Sequence, residues 1–213
     1  MIAAWVTFWV LSWAGISLLS DKFPKSSRDD ENTPQWVAQT CLALVRSVFV
    51  AVGASFAPDD AFLDQCGYSF FSFEIVDLVI GLIYGLHTTD MLLHHGLHIA
   101  AGALIWAAGL HALARPLMMQ EMSSIFLNLF VMARNRVPSI STALFVCFGL
   151  SFMVFRMGNG SLAAYRFFQS GTHPTVGYLV LGGAALQWWW GYSIALKVQR
   201  QLKRGADDPS KDA

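Results

Sequence analysis

MLLHHGLHIAAG, residues 91–102, sets three histidines in a run whose other side chains suit a lipid bilayer. On a helix turning about 100° per residue, His94, His95 and His98 fall within one arc of about 100°. If the helix begins as early as His87, that residue and Asp90 join the same sector. An ionisable group at a helix centre costs about 2.5–3.5 kcal/mol on insertion scales, so it is retained where it faces a bundle interior and has a partner or a task. The stretch therefore predicts a membrane helix with one polar face turned inward.

The rest of the chain agrees. Of 213 residues 55% are hydrophobic and 13% charged, with mean hydropathy +0.48, against about 25% charged in an ordinary soluble domain. Fourteen basic residues balance fourteen acidic ones, so no basic stripe exists to neutralise phosphates and no nucleic-acid partner is expected. Cys41, Cys66 and Cys147 are scattered, without paired spacing for a zinc site, and their odd number argues against a disulfide framework. Seven apolar segments approach the length of about 20 residues that crosses a bilayer: 2–20, 36–57, 68–86, 91–113, 117–133, 139–157 and 176–199. The fifth is short and contains Gln120, Glu121 and Asn128, so a tilted or re-entrant helix is its alternative. The first could be a signal peptide, yet it lacks a basic n-region, has a long apolar run and carries three tryptophans; it is expected to remain as a helix. Trp5, Trp9 and Trp13, spaced i, i+4, i+8, read as a stripe facing lipid or a protein partner, through which residues 2–20 could dock into a larger complex.

If the segments alternate across the bilayer, ten of the fourteen basic residues fall on one side, in the first loop, the 134–137 loop and the tail. By the positive-inside rule the C-terminus faces the cytosol or its equivalent. The loop APDDAFLDQCGY on the other side has acids and no Lys or Arg. The tail 205–213 is polar and expected to be disordered.

Other spans carry polar stripes as well. Glu74, Asp77, Gly81 and Tyr84 lie at i, i+3, i+7 and i+10; Glu121, Ser124 and Asn128 at i, i+3 and i+7. Arg46 and Arg156 each occupy a span, and Gln187 precedes Trp188, Trp189 and Trp190. Polar groups from six spans are thus expected to meet at an interior, the simplest packing being a ring of helices around a polar-lined cavity.

Five motifs in this order resemble the TLC-domain family, which includes the ceramide synthases and shorter relatives. They are GYSFFSFEIVDL around Asp77, LLHHGLHIAAG, QEMSSIFLNLF around Glu121, SFMVFR at Arg156, and LQWWWGYSIALKV, together covering about Trp36 to Arg204. The resemblance implies an all-α polytopic membrane protein, a six-helix TLC-type barrel over 36–204, here preceded by one extra N-terminal helix and the polar loop 21–35. It also implies that the paired histidines, His94 and His95, are catalytic in acyl transfer from acyl-CoA, and that the setting is the endoplasmic reticulum rather than another organelle membrane such as the mitochondrial inner membrane. Ceramide synthases carry a His-Asp-x-x-Asp element after the pair. Here the stretch after His111 reads ALARPLMMQEMSSIFLN, the pattern of the shorter branch.

The candidate site follows. His94, His95 and Asp77 are the catalytic candidates, since an imidazole is a competent nucleophile or base near neutral pH and a carboxylate can fix its tautomer. Glu74, Tyr84, His98, Glu121, Asn128, Arg156 and Gln187 are the substrate-binding candidates. Each has a structural counter-reading: the histidines as an interhelical clamp, the arginines as partners for Glu74, Asp77 or Glu121, His111 and His173 as interfacial. No metal is expected, although His87, Asp90, His94 and His98 have permissible spacing. Three function classes remain: a lipid acyltransferase with acyl-CoA as co-substrate, a non-catalytic lipid-binding or accessory subunit, and a carrier, the last disfavoured by the lack of an inverted repeat. Arg134, Arg136 and the basic tail are the cytosolic candidates for the phosphates of an acyl-CoA.

Overall fold

The computed structural model describes residues 1–171 and 174–207. His173 and residues 208–213, which make up most of the predicted tail, lie outside the described residues, as does the side chain of His111. The chain forms helices α1 (Ile2–Leu18), α2 (Pro34–Phe56), α3 (Asp60–Tyr84), α4 (Thr89–Ala107), α5 (His111–Met119), α6 (Glu121–Ala133), α7 (Pro138–Ser151), α8 (Asn159–Ser170) and α9 (Pro174–Asp207). A π-helical segment, Phe152–Gly158, joins α7 to α8 without a break. Local chemistry sets the boundaries. Thr33 and Asp59 cap α2 and α3 by accepting from the Trp36 and Phe62 amides, as N-cap oxygens do. Gly85, Gly109 and Gly171 supply left-handed turns after α3, α4 and α8, where a side chain would be strained.

The helices alternate in direction. Phe49 meets Phe62 and Gln39 meets Asp77, so α2 and α3 are antiparallel; Gly67 meets Trp106 and Glu74 meets His95, so α3 and α4 are too. The sequence of neighbours α2–α3–α4–α9–α7/α8–α6–α2 closes on itself as a ring. α1 packs outside it, on α2 and α3. α5 enters the ring to touch α2, α3 and α8, and it and α6 together occupy the place of the fifth span. The chain bends between them at Gln120, just after Pro116 and Met119.

The pattern of burial is that of a membrane protein. Glu74 and Glu121 are 1% and 2% exposed, whereas Leu82, Ile83, Leu150 and Met153 are between 58% and 68% exposed. A soluble fold would reverse that arrangement. By length and hydropathy Pro34–Phe56, Asp60–Tyr84 and Pro138–Ser170 are each able to cross a bilayer.

Several expectations are corrected. The fourth segment ends at Ala107 and not 113, because Gly109 turns the chain. The fifth is a broken α5–α6 pair. The sixth extends from 157 to Ser170, since the π segment absorbs the Gly158–Asn159–Gly160 run without ending the helix. The tryptophan stripe of α1 faces inward: Trp9 is 1% exposed among Leu42, Phe73 and Val76, its indole donating to the Ser69 carbonyl, and Trp5 donates to Gln65. The outward face of α1 carries Phe8, Val10 and Leu11 instead.

Candidate functional site

Polar side chains from six helices meet in one buried layer. On the α2–α6 side, Arg46 binds Glu121 through Nη1, and its Nη2 lies 3.6 Å from Glu74 Oε1. Its guanidinium also lies over the rings of Phe70 and Phe73, at 5.3 and 4.8 Å. Arg156 donates from Nε to Ser123 Oγ at 2.8 Å and from Nη2 to Ser124 and, at 3.4 Å, to Glu121 Oε1. It can do so because it sits in the π segment, whose extra residue per turn re-aims a side chain without breaking the helix. Ser47 adds a hydrogen bond to Glu121 Oε2 at 3.3 Å. Glu121 is therefore shared between two guanidiniums and a hydroxyl, as burial of charge demands.

On the α3–α4 side, His95 stands between two carboxylates. Its Nδ1 is 2.6 Å from Glu74 Oε2, and its Nε2 is 2.9 Å from Asp77 Oδ2. The second approach is too oblique for a hydrogen bond, so Nε2 is buried without a partner. Gln39 donates to Asp77 Oδ1 at 2.5 Å. His87, folded back by Gly85, places Nε2 3.0 Å from the Asp77 carbonyl and 3.3 Å from its Oδ2. Gly81 makes room for that ring, since a Cβ there would stand 2.0 Å from His87 Cδ2. His94 meets His98 at a tilt, with ring centroids 3.8 Å apart, and Trp190 at 5.0 Å. His94 Nδ1 and His98 Nδ1 have no hydrogen-bond partner, the latter lying 3.5 Å from Glu74 Oε2.

A largely apolar cavity opens from this layer between α3, α4, α5 and α9. Phe70, Phe71, Ile105, Trp106 and Leu117 are among its walls; His98, Gln120, Glu121 and Gln187 form its polar end. Neither His94 nor His95 lines it. The walls come from Leu63–Phe71 and Leu97–Trp106, the halves of α3 and α4 remote from the basic loops. The cavity therefore lies in the half of the ring away from the basic side.

The basic side has a different use for its charges. Glu31, 1% exposed, accepts from Ser26 Oγ, Arg134 Nη2 and Asn135 Nδ2 at 2.7, 2.7 and 2.9 Å. Arg136 donates to the Glu31 and Pro24 carbonyls and stacks on Trp36. Burial pushes the Glu31 carboxyl up, but hydrogen bonds from Asn135, Ser26 and Arg134 outweigh it and hold it below its ordinary value. Arg136, expected as a phosphate ligand, is instead consumed in tying the 134–137 loop to the 20–33 loop, and Arg134 shares that duty.

Among the sequence candidates, Asp77, Glu74, His94, His95, His98, Glu121, Arg156 and Gln187 lie in the layer or at the cavity's end. Two do not. Tyr84 is 46% exposed against Trp13, because α3 has turned past the layer by its last residue. Asn128 is half-buried on α6, two turns from Glu121, and its side chain makes no hydrogen bond among the described residues. Asp90 leaves the histidine sector as well, accepting from Trp190 Nε1 at 2.8 Å. The metal-capable donors sort instead into Glu74–His94–His98 and Asp77–His87–His95, each set within 4.8 Å. Gln39, Ser47 and Ser123 carry no mark in the sequence reading, and Gln120 enters it only as a polar residue of the fifth segment, although Gln39 and Arg46 are i, i+7 on one face of α2.

A family model described as TLC domain matches residues 5–196, beginning within α1 and taking in every helix of the ring. No curated protein and no solved structure matches the chain.

Proposed function

The chain belongs to the TLC-domain family of membrane proteins, and from that premise we propose that it binds a lipid, holding one hydrocarbon chain in the cavity between α3, α4, α5 and α9. One observation carries this reading: an apolar-walled cavity ends on polar groups, the half-buried His98 and the buried Gln120, Glu121 and Gln187. That is the shape of an amphiphile's negative. Transfer of a hydrocarbon tail from bilayer to apolar cavity gains little hydrophobic free energy, since lipid is as apolar as the walls. Selectivity then rests on the polar end, where Gln187 Oε1 is buried without a partner and an O–H or N–H of the ligand would satisfy it. In keeping with the family, the setting is the endoplasmic reticulum membrane, with the basic loops cytosolic.

The test is photo-crosslinking with a diazirine-bearing fatty acid, followed by peptide mapping. Label is expected on residues 63–71 and 97–106, and Ala101→Phe, which fills the cavity, should remove it. Equal labelling of that variant and the wild type would overturn the proposal.

A second reading, acyl transfer, is favoured by the unpartnered Nδ1 atoms of His94 and His98. In it a neutral imidazole nitrogen of His98 attacks an acyl thioester carbonyl, the C–S bond breaks, and the thiolate leaves and takes up the imidazole's proton. An amine or hydroxyl then accepts the acyl group, giving its proton back through the imidazole. His95, engaged by two carboxylates, serves as a positioning residue. A radiolabelled acyl thioester should mark the wild type in a hydroxylamine-labile bond and leave His98→Ala unmarked; equal marking of the two rejects this route. The accessory-subunit alternative loses one of its supports, the tryptophan stripe, which α1 packs against α2 and α3.

A further inference from the structure

Among the described residues, the charge of the buried layer does not balance. Glu74, Asp77 and Glu121 bring three carboxylates, Arg46 and Arg156 two guanidiniums, and none is more than 7% exposed. Uncompensated negative charge at this depth is costly, so added positive charge belongs here, carried by a proton on His95 or by a cation. The donor geometry points to the cation, and we propose that Asp77, His87 and His95 form a binding site for a divalent first-row transition metal.

Three observations support it. First, the donors converge: the ligand atoms of the three residues lie within 4.8 Å of one another, His95 Nε2 and His87 Nε2 standing 2.9 and 3.3 Å from Asp77 Oδ2. Second, His95 Nε2 is buried without a hydrogen-bond partner in a residue only 3% exposed, while its Nδ1 is held by Glu74 Oε2 at 2.6 Å. A carboxylate on the far nitrogen fixes the tautomer that leaves the near lone pair free, and metal-binding histidines are characteristically oriented this way. Gln39 does the same for Asp77, occupying Oδ1 and leaving Oδ2 to the donors. Third, the chain has removed a side chain to seat the third donor, since a Cβ on Gly81 would stand 2.0 Å from the His87 ring.

Two imidazoles and one carboxylate leave coordination positions open and suit Zn²⁺ or Fe²⁺. On loading, the His87 proton resides on Nδ1 and the Nε2 lone pair turns from the Asp77 carbonyl to the metal. The neighbouring set, Glu74–His94–His98, is the weaker host because its carboxylate is already engaged by Arg46 and His95. The site does not rest on what the cavity holds.

The test uses the full chain in mild detergent, loaded with Zn²⁺ and gel-filtered, with retained zinc measured by inductively coupled plasma mass spectrometry. Wild type should retain stoichiometric Zn²⁺. His87→Ala, and Gly81→Ala through displacement of His87, should each weaken binding by about tenfold or more, since loss of a ligand costs at least what loss of a group supporting a ligand does. His98→Ala should retain zinc like the wild type. Zinc should also raise the melting temperature of the wild type and not of His87→Ala, a readout independent of any activity. Wild type retaining no more zinc than His87→Ala at matched gel-filtration profiles overturns the proposal, and so does zinc that is lost in His98→Ala but kept in His87→Ala.

Discussion

Arg46 shows how much a single side chain settles here. Its guanidinium serves Glu121 and Glu74 at once and rests on two phenyl rings. Replacing it with Leu leaves two buried carboxylates short of a cation, a class of change that costs about 3–5 kcal/mol. Arg46→Leu should therefore lower the melting temperature in detergent far more than Arg166→Leu, at an exposed position on α8, as thermal gel filtration can read. Glu31 provides the pH dependence. Its carboxyl is held below the ordinary value of 4.5, so its contribution is complete above that pH and is lost as the pH falls below it, through the folded value. Wild type should lose melting temperature over that acid range, and Glu31→Gln should start lower and change less there. A wild type and variant with parallel acid limbs would contradict the assignment. At this scale the sequence showed which residues were anomalous, because an ionisable group in an apolar run is visible locally. It did not show Glu31, whose hydrogen-bond partners Arg134 and Asn135 lie 103 and 104 residues away in a loop of ordinary polar composition.

At the scale of the element, the continuous helix from Pro138 to Ser170 depends on its π segment to keep Arg156 on Glu121, Ser123 and Ser124 while α8 stays on α5 and α9. Removing one residue from that segment, for instance by deletion of Val154, lets a regular α-helix form and withdraws the wide turn that aims Arg156 at its partners. The deletion should be as destabilising as Arg156→Leu, and adding Arg156→Leu to it should cost little more. Additive losses would show that Arg156 had kept its partners. On α1 the contrast is between faces. Trp9→Ala should cost about 3–5 kcal/mol, as cavities of that size do, and Phe8→Ala, at a position 48% exposed, far less. Helix periodicity found the tryptophan stripe but not its direction. Trp is as much at home against lipid as against a packed helix, and only the neighbours Leu42, Phe73 and Val76 decide between them.

Over the whole molecule, the ring and the two loop layers predict sidedness. In a cysteine-free background, Lys25→Cys and Asp60→Cys should react with an impermeant maleimide from opposite faces of sealed vesicles, and Ala108→Cys from the same face as Asp60→Cys. Labelling of all three from one face would refute the alternation of helices. The same view explains why the cavity was not foreseen at its true place. The histidine arc suggested a chamber around His94 and His95, but His95 is filled in by Glu74 and Asp77, and the open space lies beyond His98, where Gly67 and Gly102 admit Trp106 and Phe71 and α5 enters without filling the ring. What the sequence determined by itself was the helical membrane class, the family, and the identity of most inward polar residues. Those follow from hydropathy and helical period, which are properties of neighbours along the chain. Tertiary structure alone decided which acid meets which cation, which way α1 faces, and where space remains. Those depend on distances between helices far apart in sequence, and a carboxylate carries no local mark of the partner that will neutralise it.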